Sequence, residues 1–173
     1  MNTFTRRIMR LALTTVGLAG LLVAVNAVPG AAQPVGFTNL VLGRGTYMSH
    51  QTLPLRQGLD IVISKITVVP GGTSGWHTHP GGAIIVVEQG EITIYASAGK
   101  GDDKQGQSRE REAFPHCVIT TYTKGQSFVE LPGQATKAVN NGSIDFVLFV
   151  TFPDVPVGGP SKIDLPNPGT CPV

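Results

Sequence analysis

Two histidines set two residues apart carry the most specific chemistry in this chain. His77 and His79 lie in the stretch Pro70-Gly-Gly-Thr-Ser-Gly-Trp-His-Thr-His-Pro-Gly-Gly-Ala83. On a strand, residues two apart leave from the same face. Both imidazoles would then project to one side and could take adjacent positions on a metal ion, and neutral imidazole suits Zn, Fe, Cu and Ni. The same spacing also fits a pair of buried or rim histidines satisfied by hydrogen bonds, and both readings stand at this point. His50 and His116 are the other two imidazoles; either could complete a three-histidine set from a loop. Glu88 is a poorer candidate, because residues 83, 85 and 87 share a face and Glu88 should leave from the opposite one as a surface carboxylate. Asp102 and Asp103 sit among charges of both signs and read as a solvated pair. The chain has no G-x-S-x-G elbow, phosphate loop, HExxH or CxxC motif, so nucleophilic and dithiol chemistry have nothing to rest on.

The elements that must position these residues read as short strands. The chain has 173 residues, 41% hydrophobic and 14% charged, with 22 Gly and 13 Pro and a mean hydropathy of +0.13. That size holds one core well, and that composition favours strands and turns over helix bundles. Strand-like runs cover 59–69, 83–88, 91–95, 118–123, 127–131 and 144–152, separated by Pro-Gly, Gln-Gly, Lys-Gly and Asn-Asn-Gly turns. β-Branched residues dominate them. The second and third meet at Gln89-Gly90 and are expected to pair as a hairpin. The last, Asp145-Phe-Val-Leu-Phe-Val-Thr-Phe152, is apolar on both faces, as expected of a strand covered on two sides. Residues 96–117 carry mixed charges and three glycines and read as a surface loop. Trp76 is the best candidate for an aromatic wall beside the histidines; Tyr95, Tyr122 and Phe128 read as core and rim packing.

The N-terminus reads as an address. Arg6, Arg7 and Arg10 precede an apolar run from Leu11 to Val25, and no charged residue occurs between Leu11 and Gly43. This is the layout of an export signal, with a small-residue cleavage site after Ala27 or, preferably, Ala32. The run is short for the ~20 residues of a membrane-spanning helix. Without the three arginines, the 13 basic residues fall to 10 against 11 acidic, a net charge of −1. A near-neutral body gives no electrostatic case for nucleic acid. Export also makes the two cysteines legible. Cys117 and Cys171 are the only pair, and an oxidising compartment favours joining them. The tail from Pro153 to Val173 has six Pro, three Gly and no strand or helix period. A bridge closing a loop of about 55 residues would pin it to the body and contribute on the order of 4 kcal/mol.

The segment around the histidines resembles the first motif of the cupins, in which a Gly, five residues, HxH, three or four residues, Glu, six residues and Gly follow one another. Gly71, His77, His79 and Gly90 fall on it. Downstream, Gly125, Gly133 and Asn140 fall on the glycines and asparagine of the second cupin motif. Leu131 stands where that motif has proline and Thr136 where it has histidine. The resemblance spans about Leu59 to Phe152 and is looser to small exported bacterial single-domain members with a Trp-His-x-His-Pro-Gly stretch. It implies an all-β, double-stranded β-barrel, or jelly roll, here preceded by a signal helix. Cupins bind metal through two His and a Glu of the first motif and a His of the second. Ala83 occupies the Glu position and Thr136 the second-motif His position, so His77 and His79 alone carry over as ligands. Thr136 could hold a water on the metal.

The expected organisation is an export signal over 1–32, a cupin-like barrel over 33–152, and a tail over 153–173 pinned by a Cys117–Cys171 disulfide. The barrel would bind a divalent metal (Zn, Fe, Mn, Cu or Ni) or a small molecule through His77 and His79, in a pocket with Trp76, Ala83 and Thr136. Catalysis is not assigned: an oxygenase-like or isomerase-like metal enzyme and a non-catalytic structural barrel are the alternatives. The mature protein is expected to be secreted or periplasmic and free of membrane after signal cleavage. Its exposed edges could pair into a homodimer.

Overall fold

The computed structural model describes residues 33–48, 54–97 and 117–172, together with Gly30. The expected signal helix, His50, His116, and Asp102 with Asp103 lie outside these residues. The described chain forms ten strands: β1 (Val35–Thr46), β2 (Asp60–Thr73), β3 (His77–Thr78), β4 (Ala83–Gln89), β5 (Glu91–Ser97), β6 (Cys117–Thr123), β7 (Ser127–Glu130), β8 (Thr136–Val139), β9 (Phe146–Val155) and β10 (Ile163–Asp164). Every pairing is antiparallel.

Two five-stranded layers face each other. One runs β1-β2-β9-β4-β7 and the other β10-β3-β8-β5-β6. The far end of β2 crosses between them, where Thr73 pairs with Val139 of β8. The result is a nearly closed all-β barrel. Alternation along the strands builds its interior: Val62 and Ile66 of β2, Ala83, Ile85 and Val87 of β4, Phe128 of β7, and Leu148, Val150 and Phe152 of β9 pack in one buried cluster. A smaller cluster at one side joins Trp76 to the Cys117–Cys171 disulfide, with Tyr95 and Leu165 against it.

Four expectations change. β4 and β5 do not form a hairpin: β4 pairs with β7 and β9, and β5 with β6 and β8. Between them Gly90 has φ +76°, and a Cβ there would stand 2.9 Å from the Asp145 carbonyl oxygen. The glycine therefore lets the chain cross from one layer to the other close beside the start of β9. The tail does carry a strand, because β10 lies against β3 with Ile163 opposite Thr78 and Asp164 opposite His77. β9 also runs on to Val155, past the expected edge of the barrel at 152. Finally, among the described residues β9 is covered on one face only. Leu148, Val150 and Phe152 are buried, whereas Phe149 on the other face is 40% exposed.

Candidate metal centre

The short strand β3 sits between β8 and β10, with His77 directly opposite Thr136 on one side and Asp164 on the other. This clamp places His77 and His79 on the interior, 5% and 4% exposed. Their ring centroids are 4.9 Å apart at 78°. Each Nδ1 is tied to the main chain. Nδ1 of His77 lies 2.9 Å from the Gly75 carbonyl and 3.2 Å from Ser74 Oγ, and Nδ1 of His79 lies 2.6 Å from the Ser161 carbonyl. A carbonyl only accepts, so both Nδ1 atoms carry the proton and both Nε2 atoms are left to face the barrel interior.

What they face is Glu130. β7 alternates outward and inward, which buries Phe128 and Glu130 together. The Glu130 carboxylate, on a residue 6% exposed, stands 2.8 Å from His79 Nε2 and 3.6 Å from His77 Nε2. Burial pushes this carboxyl up, but the imidazoles of His77 and His79 outweigh it and hold Glu130 well below the usual carboxylate range. With Nδ1–H of His79 already donated to Ser161, the 2.8 Å contact between Nε2 and Oε2 needs one proton between two acceptors. A divalent cation can stand where that proton does. The three ligand atoms lie within 4.8 Å of one another. Ligands of one metal at 2.0–2.2 Å sit roughly 3 Å apart, so the set fits a single ion with small adjustments. Two imidazoles and one carboxylate also remedy the charge deficit of an all-neutral pair.

The position of Glu130 explains a departure from the expected motif. Ala83 stands where the resemblance calls for a glutamate, and Ala83 is the residue directly opposite Glu130 in the β4–β7 ladder. The carboxylate thus enters from the neighbouring strand, over a residue small enough to leave it room. Sequence reasoning missed Glu130; the alternation of Phe128 and Glu130 in the 127–131 run was the available signal. Glu88, by contrast, is solvated and lies 3.9 Å from Lys124.

Ser74, His77, His79, Ala83 and Glu130 border a cavity of about 30 Å³ whose remaining wall is largely apolar, including Ile85, Phe128 and Phe152. One water needs roughly 10–15 Å³ on this measure, so the space suits an ion with one or two small ligands. Phe37, Asn39 and Lys162 also line it, and Lys162 is paired with Asp164. Two of the three expected pocket residues are elsewhere. Trp76 is buried against the disulfide, and Thr136, although opposite His77, is enclosed between strands without a hydrogen bond from its Oγ1. Local strand parity could not reveal that the Trp76 side of the strand is roofed by the tail.

The family model described as Cupin matches residues 30–156. This chain belongs to the cupin family. No curated protein matches it. Among solved structures, the cupin is similar to Peruvianin-I, described as a cysteine peptidase from Thevetia peruviana latex, with a TM-score of 0.50 and 17% identity over 76% of this chain and 68% of that one. It is also similar to an oxalate oxidase (TM-score 0.44, 20% identity, 54% of this chain and 42% of that one). A third is the oxalate decarboxylase of Bacillus subtilis, described with Mn(II) centres (TM-score 0.47, 19% identity, 61% of this chain and 24% of that one). The cupin spans less than half of the last two, and at these identities the likeness is one of fold.

Proposed function

We propose that this cupin is exported and binds one divalent metal ion through Nε2 of His77, Nε2 of His79 and the carboxylate of Glu130. The observation that carries the reading is the convergence of those three buried groups, with both imidazole tautomers fixed from behind by main-chain carbonyls. Outer hydrogen bonds of that kind orient metal-binding histidines and raise their basicity. A buried carboxylate beside two histidines is costly as a purely structural device, since desolvation offsets much of its attraction. Two His and one carboxylate leave coordination positions open on Zn, Fe or Mn. The apolar wall and the small cavity suit a ligand of few atoms there. A bound ion would supply Lewis acidity. The residues of this chain would fix the ion, exclude bulk water and set a carboxylate against its positive charge. Export rests on the N-terminal arginines with their apolar run, and the Cys117–Cys171 bridge accords with an oxidising compartment.

A metal enzyme of oxygenase or isomerase type is the second reading, favoured by the open positions facing the cavity. Metal content decides the first. Protein purified without chelators should carry, or take up in titration calorimetry, about one ion per chain, and the His77→Ala/His79→Ala variant should carry none. Absence of metal in the unsubstituted protein, with no uptake of Zn, Mn or Fe(II), overturns the proposal.

A further inference from the structure

Two polar side chains of the cavity, Lys162 and Asn39, have no part in the metal reading, and the lining around them is apolar, with Phe37, Ile66 and Ile94 among it. Asn39 stands on the inward row of β1. Its partner in the β1–β2 ladder, Ile66, is a core residue, as is Val68 opposite Phe37. Asn39 is itself exposed, so the cavity opens to solvent beside it. Lys162 comes from the tail, beyond the residues 30–156 that match the family. The preceding residue, Ser161, gives its carbonyl to His79 Nδ1, and the following one, Ile163, is 44% exposed. Strand parity therefore sends Lys162 and Asp164 to the inner side. The Lys162 side chain is 16% exposed and that of Asp164 38%. Lys162 Nζ lies 5.8 Å from the centre of the Phe37 ring, whose face attracts a cation. An ammonium has three N–H donors, and Asp164 is the one acceptor this ammonium has among the described residues.

We propose that Lys162 and Asn39 form an anion subsite that seats a small monocarboxylate, of formate to acetate size, in the cavity with the metal. This rests on the metal reading above and names the ligand class of that site. Charge selects an anion. A dication held by two neutral imidazoles and one carboxylate keeps one positive charge. Lys162 adds another, and its counter-charge on Asp164 is the more solvated and so the more screened. A cation would meet like charges here and a neutral molecule would compensate neither, between apolar walls that strengthen both effects. Donor chemistry agrees: the Lys162 ammonium and the Asn39 amide N–H both donate, and a carboxylate accepts without donating. Size selects a short one. A cavity of about 30 Å³ has room for roughly two or three water-sized groups.

The test uses the full chain as purified and loaded with Zn, its zinc content measured first. Titrating acetate into isotope-labelled protein should move the Asn39 side-chain amide resonance along a saturating curve. Acetamide, the neutral isostere, should leave that resonance in place. Lys162→Met should still take up Zn but bind acetate ~10-fold or more weakly, the weight of a hydrogen bond to a charged group. Asp164→Asn should tighten acetate binding, because it removes the anion that competes for Lys162. A lysine that merely braces the tail would lose binding with either substitution. By linkage, acetate should raise the affinity for Zn by the same factor as Zn raises that for acetate. Zinc uptake without saturable acetate binding overturns the anion subsite and leaves the metal centre standing. Equal binding of acetamide, or undiminished acetate binding by folded Lys162→Met, does the same. A protein that takes up no zinc overturns both.

Discussion

Nδ1 of His79 lies 2.6 Å from the main-chain oxygen of Ser161, a residue 82 positions further along the chain. The tail is therefore part of the candidate centre. Three restraints hold it there: the β10–β3 pairing, the bond from Leu165 N–H to the Trp76 carbonyl, and the Cys117–Cys171 bridge beside Trp76. Freeing the tail should loosen the tautomer lock on His79. Cys117→Ser/Cys171→Ser is expected to lose about 2–4 kcal/mol of stability in urea unfolding. It is also expected to weaken metal binding by the ~10–100-fold typical of a lost outer-shell partner, read by calorimetry with Zn. Unchanged affinity in the folded double variant would detach the tail from the centre.

Glu130 and Ala83 face each other across the β4–β7 ladder, so the carboxylate can in principle be handed back across one strand. Glu130→Ala should weaken metal binding by more than the ~10–100-fold that an outer partner contributes. Adding Ala83→Glu should restore binding to within about one order of magnitude, because residues directly opposite hold their Cβ atoms about 5 Å apart on the same face. Glu130→Gln provides the complementary test. Its amide N–H can donate to the unprotonated His79 Nε2, so the variant should still fold without metal, while the rise in Tm on adding metal disappears. If Glu130→Gln keeps its metal-induced rise, the carboxylate is not a ligand.

Much of this architecture could be read from β-branched runs bounded by turn residues, which mark the segments that became β2, β4, β5, β6, β7 and β9. Strand parity placed His77 and His79 on one face. The Cys117–Cys171 bridge followed from there being two cysteines and an export-like N-terminus. What stayed hidden depended on contacts distant in sequence. Glu130 meets His79 across 51 residues, and the one local hint, its parity with Phe128 on a four-residue strand, does not say what it faces. Ser161 acts through a backbone atom, which side-chain identity does not encode. Gly90 reads equally well as a hairpin turn or a crossing between layers. β1 was not recognised because Gly36, Asn39, Gly43 and Gly45 interrupt its pattern, and it is exposed along nearly its whole length.

Gly81 closes the turn that leads from His79 into β4, and the start of the tail presses against it. A Cβ there would run into the Pro153 carbonyl oxygen and stand 2.6 Å from Asp154 Cβ. These are backbone and near-backbone atoms, which cannot swing aside as a flexible side-chain end would. Gly81→Ala should cost about 1–3 kcal/mol in urea unfolding, the usual range for overpacking. Displacing the Pro153 segment should also lower metal affinity, because the tail that follows it carries the Ser161 carbonyl bonded to His79. A variant as stable as the parent would show that this junction yields.

Asp60 provides a pH signature separate from the metal centre. It is buried at the start of β2, where Arg44 Nη1 donates to Oδ2 at 2.8 Å, Gly158 N–H donates to the same oxygen at 2.9 Å, and Thr46 Oγ1 donates to Oδ1 at 2.9 Å. Those bonds, the Arg44 guanidinium foremost, hold its carboxyl below the usual carboxylate value against the opposing effect of desolvation. A group depressed in the folded state favours folding at any pH above its unfolded value, here about 4, and that contribution drains away as pH falls below it. Stability should therefore fall in acid. Glu130 is depressed in the same direction, so the acid limb of the unsubstituted protein contains both groups. Asp60→Asn isolates one: the difference in urea midpoint between parent and variant should be constant from neutral pH to about 5 and shrink as pH drops through 4 towards 2. A difference that does not change with pH over that interval would mean that Asp60 titrates alike in the folded and unfolded chain, and that its hydrogen bonds to β1 and to the tail at Gly158 do not favour the ionised carboxyl.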